Sequence, residues 1–307
     1  MRGPPCCRLK WRLEALRSGS RPADMPMRTD PLRLILQVGI YIFFYILFLA
    51  IFVFTGIFAW TGLLAGAALS TFIPALATNV LTSRIYEGRK FADIGMRWNR
   101  NSAWNAALGF GAGVISAAIV LATPLALGVA HLKTESANTW HWRISLFVMV
   151  ILFFGAAGEE ILFRGYGFQV LLRSVGPYAA IVPVGVVFGA LHAANPNVSA
   201  LGIANTVGFG ILFGYAFFRS HDLWLPIGMH YGWNFTLPLF GSSVSGIKME
   251  VTGYELQWSA GALWSGGDYG PEASILTSAV LFALFVFLWK APVRQQRNAL
   301  LDQPVET

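Results

Sequence analysis

Cysteine is nearly missing: Cys6 and Cys7 stand side by side near the start and no third follows. A thiol nucleophile or a buried disulfide in the body of the protein is thereby excluded. Charge is scarce too, at 12% Asp, Glu, Lys and Arg against roughly 25% in soluble domains. No aspartate falls inside a long apolar run, because Asp24, Asp30, Asp93, Asp222, Asp268 and Asp302 occupy tails, loops or run edges. An intramembrane aspartyl protease, which needs two such groups at depth, is excluded. His-Glu-x-x-His is absent, which removes a zincin helix. No Gly-x-Ser-x-Gly elbow occurs either, although composition alone leaves other serine and histidine arrangements open. There is no internal repeat, low-complexity linker or soluble module.

What the chain has in quantity is apolar side chains, 55% of its 307 residues, with 14% aromatic. Runs near the roughly 20 residues that a bilayer crossing requires occur at 34–56, 58–81, 105–130, 144–172, 178–194, 199–218, 222–240 and 273–290. They predict an all-α polytopic membrane protein with about eight transmembrane helices. The expected organisation is a basic, disordered cytoplasmic leader at 1–33, one transmembrane domain at 34–290 with its core at 144–240, and a cytoplasmic tail at 291–307. The leader lacks the apolar core of a cleavable signal peptide and precedes Met25 and Met27, which leaves a start downstream of it open.

The net charge of +7 follows membrane topology rather than a nucleic-acid surface. Eight basic residues precede residue 34, and five (Arg84, Arg89, Lys90, Arg97, Arg100) separate the second and third runs. Lys290, Arg294 and Arg297 follow the last run, whereas 241–272 holds Lys248 alone. Because short cytoplasmic segments carry the excess of Lys and Arg, both termini are expected in the cytoplasm and the 241–272 loop outside, in a bacterial plasma membrane.

Ionisable groups are costly in hydrocarbon and mark function by default. Within the runs the glutamates are Glu159 and Glu160, and the histidines are His192 and His230. Residues four apart share a helix face, so Glu160 reaches Arg164 and is read as its structural partner. Glu159 is rotated about 100° away and left free. The same spacing pairs Phe188 with His192 and His230 with Asn234. The turn near 173–177 puts Glu159 and His192 at equal depth, about 20 to 24 Å from it. His230 and Asn234 lie about 14 and 20 Å past the turn at 219–222. One polar catalytic cavity among helices four to seven is the expectation, and it requires the 144–172 helix to run beyond the usual bilayer length. His131, His141 and His221 fall at run ends or in loops and are read as solvated groups.

Glu-Glu-x-x-x-Arg at 159–164, Phe-x-x-x-His at 188–192 and His-x-x-x-Asn at 230–234, in that order, resemble the CAAX protease and bacteriocin-processing family, also called the Abi family. The string FADIGMRW at 91–98 is similar to a short signature ahead of the core in that family. The resemblance implies a glutamate-type intramembrane endopeptidase acting on membrane-associated proteins or peptides, without a cofactor. It implies that Glu159 is the base that takes a proton from water and that His192 orients this water. His230 and Asn234 would stabilise the oxyanion, with Glu160 and Arg164 in support. The residues by themselves leave two other readings open. Glu159, His192 and His230 suit a catalytic zinc shell. A proton-coupled carrier, or an immunity or scaffolding protein, could also keep a polar cavity.

Overall fold

The computed structural model describes residues 30–134, 142–249 and 251–302. Residues 1–29 of the leader, with Cys6 and Cys7, lie outside the described residues, as do His141 and the tail from 303. Each predicted apolar run is helical. The helices are α1 (Pro31–Phe54), α2 (Ile57–Glu87), α3 (Arg100–Ala126), α4 (Trp142–Arg164), α5 (Tyr166–Val175), α6 (Pro177–Leu191), α7 (Ala200–Ser220), α8 (Trp224–Thr236) and α9 (Ile275–Lys290). Side-chain oxygens of Asp30, Asn99, Ser199 and Ser274 accept first-turn N–H groups and fix where α1, α3, α7 and α9 begin.

Among the described residues six helices are long and apolar enough to cross a membrane, with α4 and α5 counted together over Trp142–Val175, so the expected eight crossings are not confirmed. The other two are short: α9 has 16 residues, and α8 has 13, or about 20 Å. After α8 the chain turns through Leu237–Phe240 into a long loop. That loop contributes a strand, β2 (Tyr254–Trp258), which pairs antiparallel with β1 (Ala130–Thr134), Ala130 opposite Trp258. On α1 the side chains of Phe43, Ile46 and Phe54 are exposed.

The long fourth helix breaks at Gly165. Asn79 of α2, fully buried, bridges the break: its Oδ1 accepts from Tyr166 N at 2.6 Å while its Nδ2 donates to Ile161 O at 3.0 Å. A Cβ on Gly165 would fall on the Asn79 amide and the Ile161 carbonyl, so the bridge needs glycine there. The side chain thereby satisfies backbone groups that the interrupted helix leaves free.

Helix α8 is held to α3 by facing glycines. A Cβ on Gly113 would strike the Met229 carbonyl, and one on Gly232 the Phe110 carbonyl. Small residues let helix backbones approach where lipid supplies no hydrophobic drive between them. Gly232→Ala is expected to cost about 1–3 kcal/mol by overpacking and to lower the melting temperature of the detergent-solubilised protein. An unchanged melting curve would show that α3 and α8 can part at no cost.

At one end of the bundle, residues 291–302 lace the helix ends together. Asn298 is fully buried and donates to Gln169 Oε1 at 3.0 Å, Gln296 N donates to Ser220 O at 2.8 Å, and Ala299 N to Asp93 O at 3.3 Å. The FADIGMRW stretch joins this end, where Gly95 O accepts from Leu223 N at 2.9 Å.

Candidate active site

The six residues singled out by pattern lie on two helices and at the end of a third. Helix α4 carries Glu159, Glu160 and Arg164, α8 carries His230 and Asn234, and His192 follows the last residue of α6. Helix α4 packs mainly on α2 and α8, and α6 on α7, so Glu159 and His192 meet through their side chains and not as a tight hairpin.

Glu159 Oε2 stands 3.9 Å from His192 Nε2 and 3.9 Å from His230 Nε2. Both separations are too long for direct hydrogen bonds. This oxygen is buried and has no hydrogen-bond partner among the described residues. The two imidazoles are oriented from behind. His192 Nδ1 lies 2.8 Å from Phe188 O. A carbonyl only accepts, so Nδ1 carries the proton and a neutral His192 presents its Nε2 lone pair to Glu159. His230 Nδ1 lies 3.0 Å from Glu160 Oε1, and its ring stacks on Phe213 at 5.0 Å.

Glu160 does more than pair with Arg164. Both side chains are fully buried, with Arg164 Nη1 3.1 Å from Glu160 Oε1, the same oxygen that faces His230. Arg164 Nη2 donates to Gly210 O at 2.7 Å, and the guanidinium lies 4.9 Å from the Phe188 ring. The carboxylate therefore ties the α4 arginine to the α8 histidine, a link that i,i+4 spacing along one helix could not show.

His192, His230 and Asn234 line one cavity together with Thr206, Ser245 and Glu272. At about 20 Å³ it is enclosed enough to admit a single water molecule. Glu272 escaped the sequence reading because it sits outside the apolar runs, in the turn Pro271–Ala273 before α9. It is nonetheless buried, with Oε1 accepting from the Trp233 indole at 3.0 Å and Oε2 from Ser245 N. Burial pushes its carboxyl above the ordinary value, and these N–H donors partly offset the shift. The signal that could have found it is an acid two residues ahead of the helix-capping Ser274. Of the outlying histidines, His131 is exposed on β1 and His221 turns the α7–α8 connection with φ +52°.

The fold is that of a multi-pass membrane protein. Residues 139–236 match the family model of type II CAAX prenyl endopeptidases, Rce1-like. This is the family-level relation that the three motifs resemble. A search of curated proteins finds no match for the chain.

Proposed function

We propose that this protein is an intramembrane endopeptidase that hydrolyses peptide bonds of membrane-associated proteins or peptides with water activated by Glu159. The observation that carries the reading is the buried, unpartnered Glu159 Oε2, 3.9 Å from two imidazole nitrogens. A water between Glu159 and His192 would donate one proton to each and turn an oxygen lone pair toward a substrate carbonyl. Attack forms the C–O bond as the water proton passes to Glu159. Collapse then breaks the C–N bond while Glu159 returns that proton to the leaving amine.

The developing oxyanion needs donors. Asn234 offers an amide N–H, and His230 offers Nε2–H provided that both its nitrogens carry protons. With neutral histidines, Glu159, Glu160 and Arg164 sum to one negative charge. A proton on His230 would balance the buried group, and its Nδ1–H would remain on Glu160. The CAAX-type family supports peptide substrates in general, and the alternation of basic segments supports a plasma-membrane protein with cytoplasmic termini.

Asn234→Ala is expected to lower kcat about 10² to 10³-fold with KM nearly unchanged, the usual cost of one oxyanion donor. Turnover of a reconstituted peptide per folded molecule measures it, and near wild-type turnover would remove Asn234 from the site.

A second reading rests on His230 Nε2 carrying a lone pair. Each imidazole then points an unprotonated Nε2 at Glu159 while its Nδ1–H is held by a carbonyl or a carboxylate, the pattern that orients zinc ligands. Tetrahedral zinc bonds of about 2.0–2.1 Å would set ligand atoms about 3.4 Å apart, so both 3.9 Å separations would have to contract. Turnover is expected to survive exhaustive chelation. Loss of turnover that zinc alone restores would establish the metal reading instead.

A further inference from the structure

We propose that Glu272 is a positioning residue that fixes the angular setting of α8, and with it His230 and Asn234, from the loop between α8 and α9; this rests on the peptidase reading above. Three features support it. The first is how firmly Glu272 is held. Its backbone carbonyl accepts from Asn205 Nδ2 of α7 at 2.8 Å, and the same amide holds Ser274 O at 3.0 Å. Asn205 is in turn gripped through Oδ1 by Ser278 of α9 at 2.7 Å. The carboxylate therefore projects from a point tied to two helices.

The second is what it grips. The Trp233 indole, 3.0 Å away, belongs to the residue directly before Asn234 and lies three positions after His230. The indole packs on Phe209 at 4.8 Å, Phe209 stacks on Phe213 at 5.8 Å, and Phe213 stacks on His230 at 5.0 Å with planes 16° apart. Rotating α8 about its axis would break the indole hydrogen bond and this ring series together. The third is that the second carboxylate oxygen holds Ser245 N, which makes the loop a wall of the cavity. A buried carboxylate with one N–H donor on each oxygen is satisfied only while both elements stay in place.

The decisive comparison is Glu272→Gln with Trp233→Phe. Glutamine keeps the size but turns one acceptor into a donor that faces an N–H. Phenylalanine removes only the N–H and the outer ring. Each is expected to reduce kcat about 10-fold or more per folded molecule with KM within about twofold, because a displacement of an ångström at the reacting groups is costly. The double variant is expected to be no slower than the worse single one, since both changes cut one link. Wild-type kcat in Glu272→Gln, or loss there with a normal kcat in Trp233→Phe, would overturn the proposal. A readout free of turnover separates its failure from that of the peptidase reading. In protein labelled at histidine, the His230 ring resonance, identified by its disappearance in His230→Gln, is expected to move in both single variants. An unmoved His230 resonance in folded Trp233→Phe overturns the positioning role whether or not the protein cleaves peptides, and it decides the matter if Glu272→Gln fails to fold.

Discussion

Glu159→Gln is expected to abolish detectable peptide turnover while leaving the protein folded. Glutamine matches the shape but cannot take a proton from water, and a positioned general base contributes about 10² to 10⁴ in rate. Folding should be spared because Glu159 is the one carboxylate of the cluster without a strong partner. Its side chain is 29% exposed, its nearest basic nitrogens are 3.9 Å away, and Oε2 makes no hydrogen bond among the described residues. Removing a poorly compensated charge from an apolar setting relieves a desolvation cost, so the melting temperature should hold or rise. Turnover per folded molecule in lipid, measured beside the melting curve, tests both halves. Equal turnover of the variant and the wild type would refute the base role.

The adjacent glutamate should behave in the opposite sense. Glu160→Gln leaves the fully buried Arg164 without its counter-charge, and breaking one side of a buried pair costs about 3–5 kcal/mol. The expected result is poor expression or a large fall in thermal stability. Replacing both members by methionine is expected to restore much of that stability, because a buried pair exchanged for apolar side chains of similar size is often neutral. Activity should not return with it, since His230 Nδ1 has then lost the carboxylate at 3.0 Å. A doubly substituted protein that is stable and fully active would show that the triad of Glu160, Arg164 and His230 serves stability alone.

The contrast between these two neighbours was legible in the sequence, since a 100° step on a helix separates them and only one has an i,i+4 arginine. The all-helical membrane fold was legible for a related reason: apolar runs without charge have few alternatives to a helix in a bilayer. What was hidden depends on contacts far apart in the chain. The break at Gly165 is supported by Asn79, whose amide is 87 residues from the N–H it accepts. The link of Glu160 to His230 spans 70 residues. Glu272 lies outside the apolar runs, in the turn Pro271–Ala273, and its burial arises from long-range contacts with Trp233 and Ser245 that local pattern does not register. Hydropathy registers α8 and α9 as apolar without showing their lengths, 13 and 16 residues, so the expected count of eight crossings is not confirmed.

The lacing of 291–302 has a consequence for the order in which the molecule is built. Gln296 meets Asn99 across 197 residues, and Asn298 meets Gln169 across 129. Every group that could serve the chemistry precedes this segment in the chain and is synthesised before it. Asn298 cannot occupy its buried position until ribosomes have passed it, so α5, the α7–α8 turn and the start of α3 enter the bilayer with their ends unfastened. Closing such long loops is the slow part of assembly. The order of synthesis thus places the fastening of this end of the bundle after all of its helices have been made.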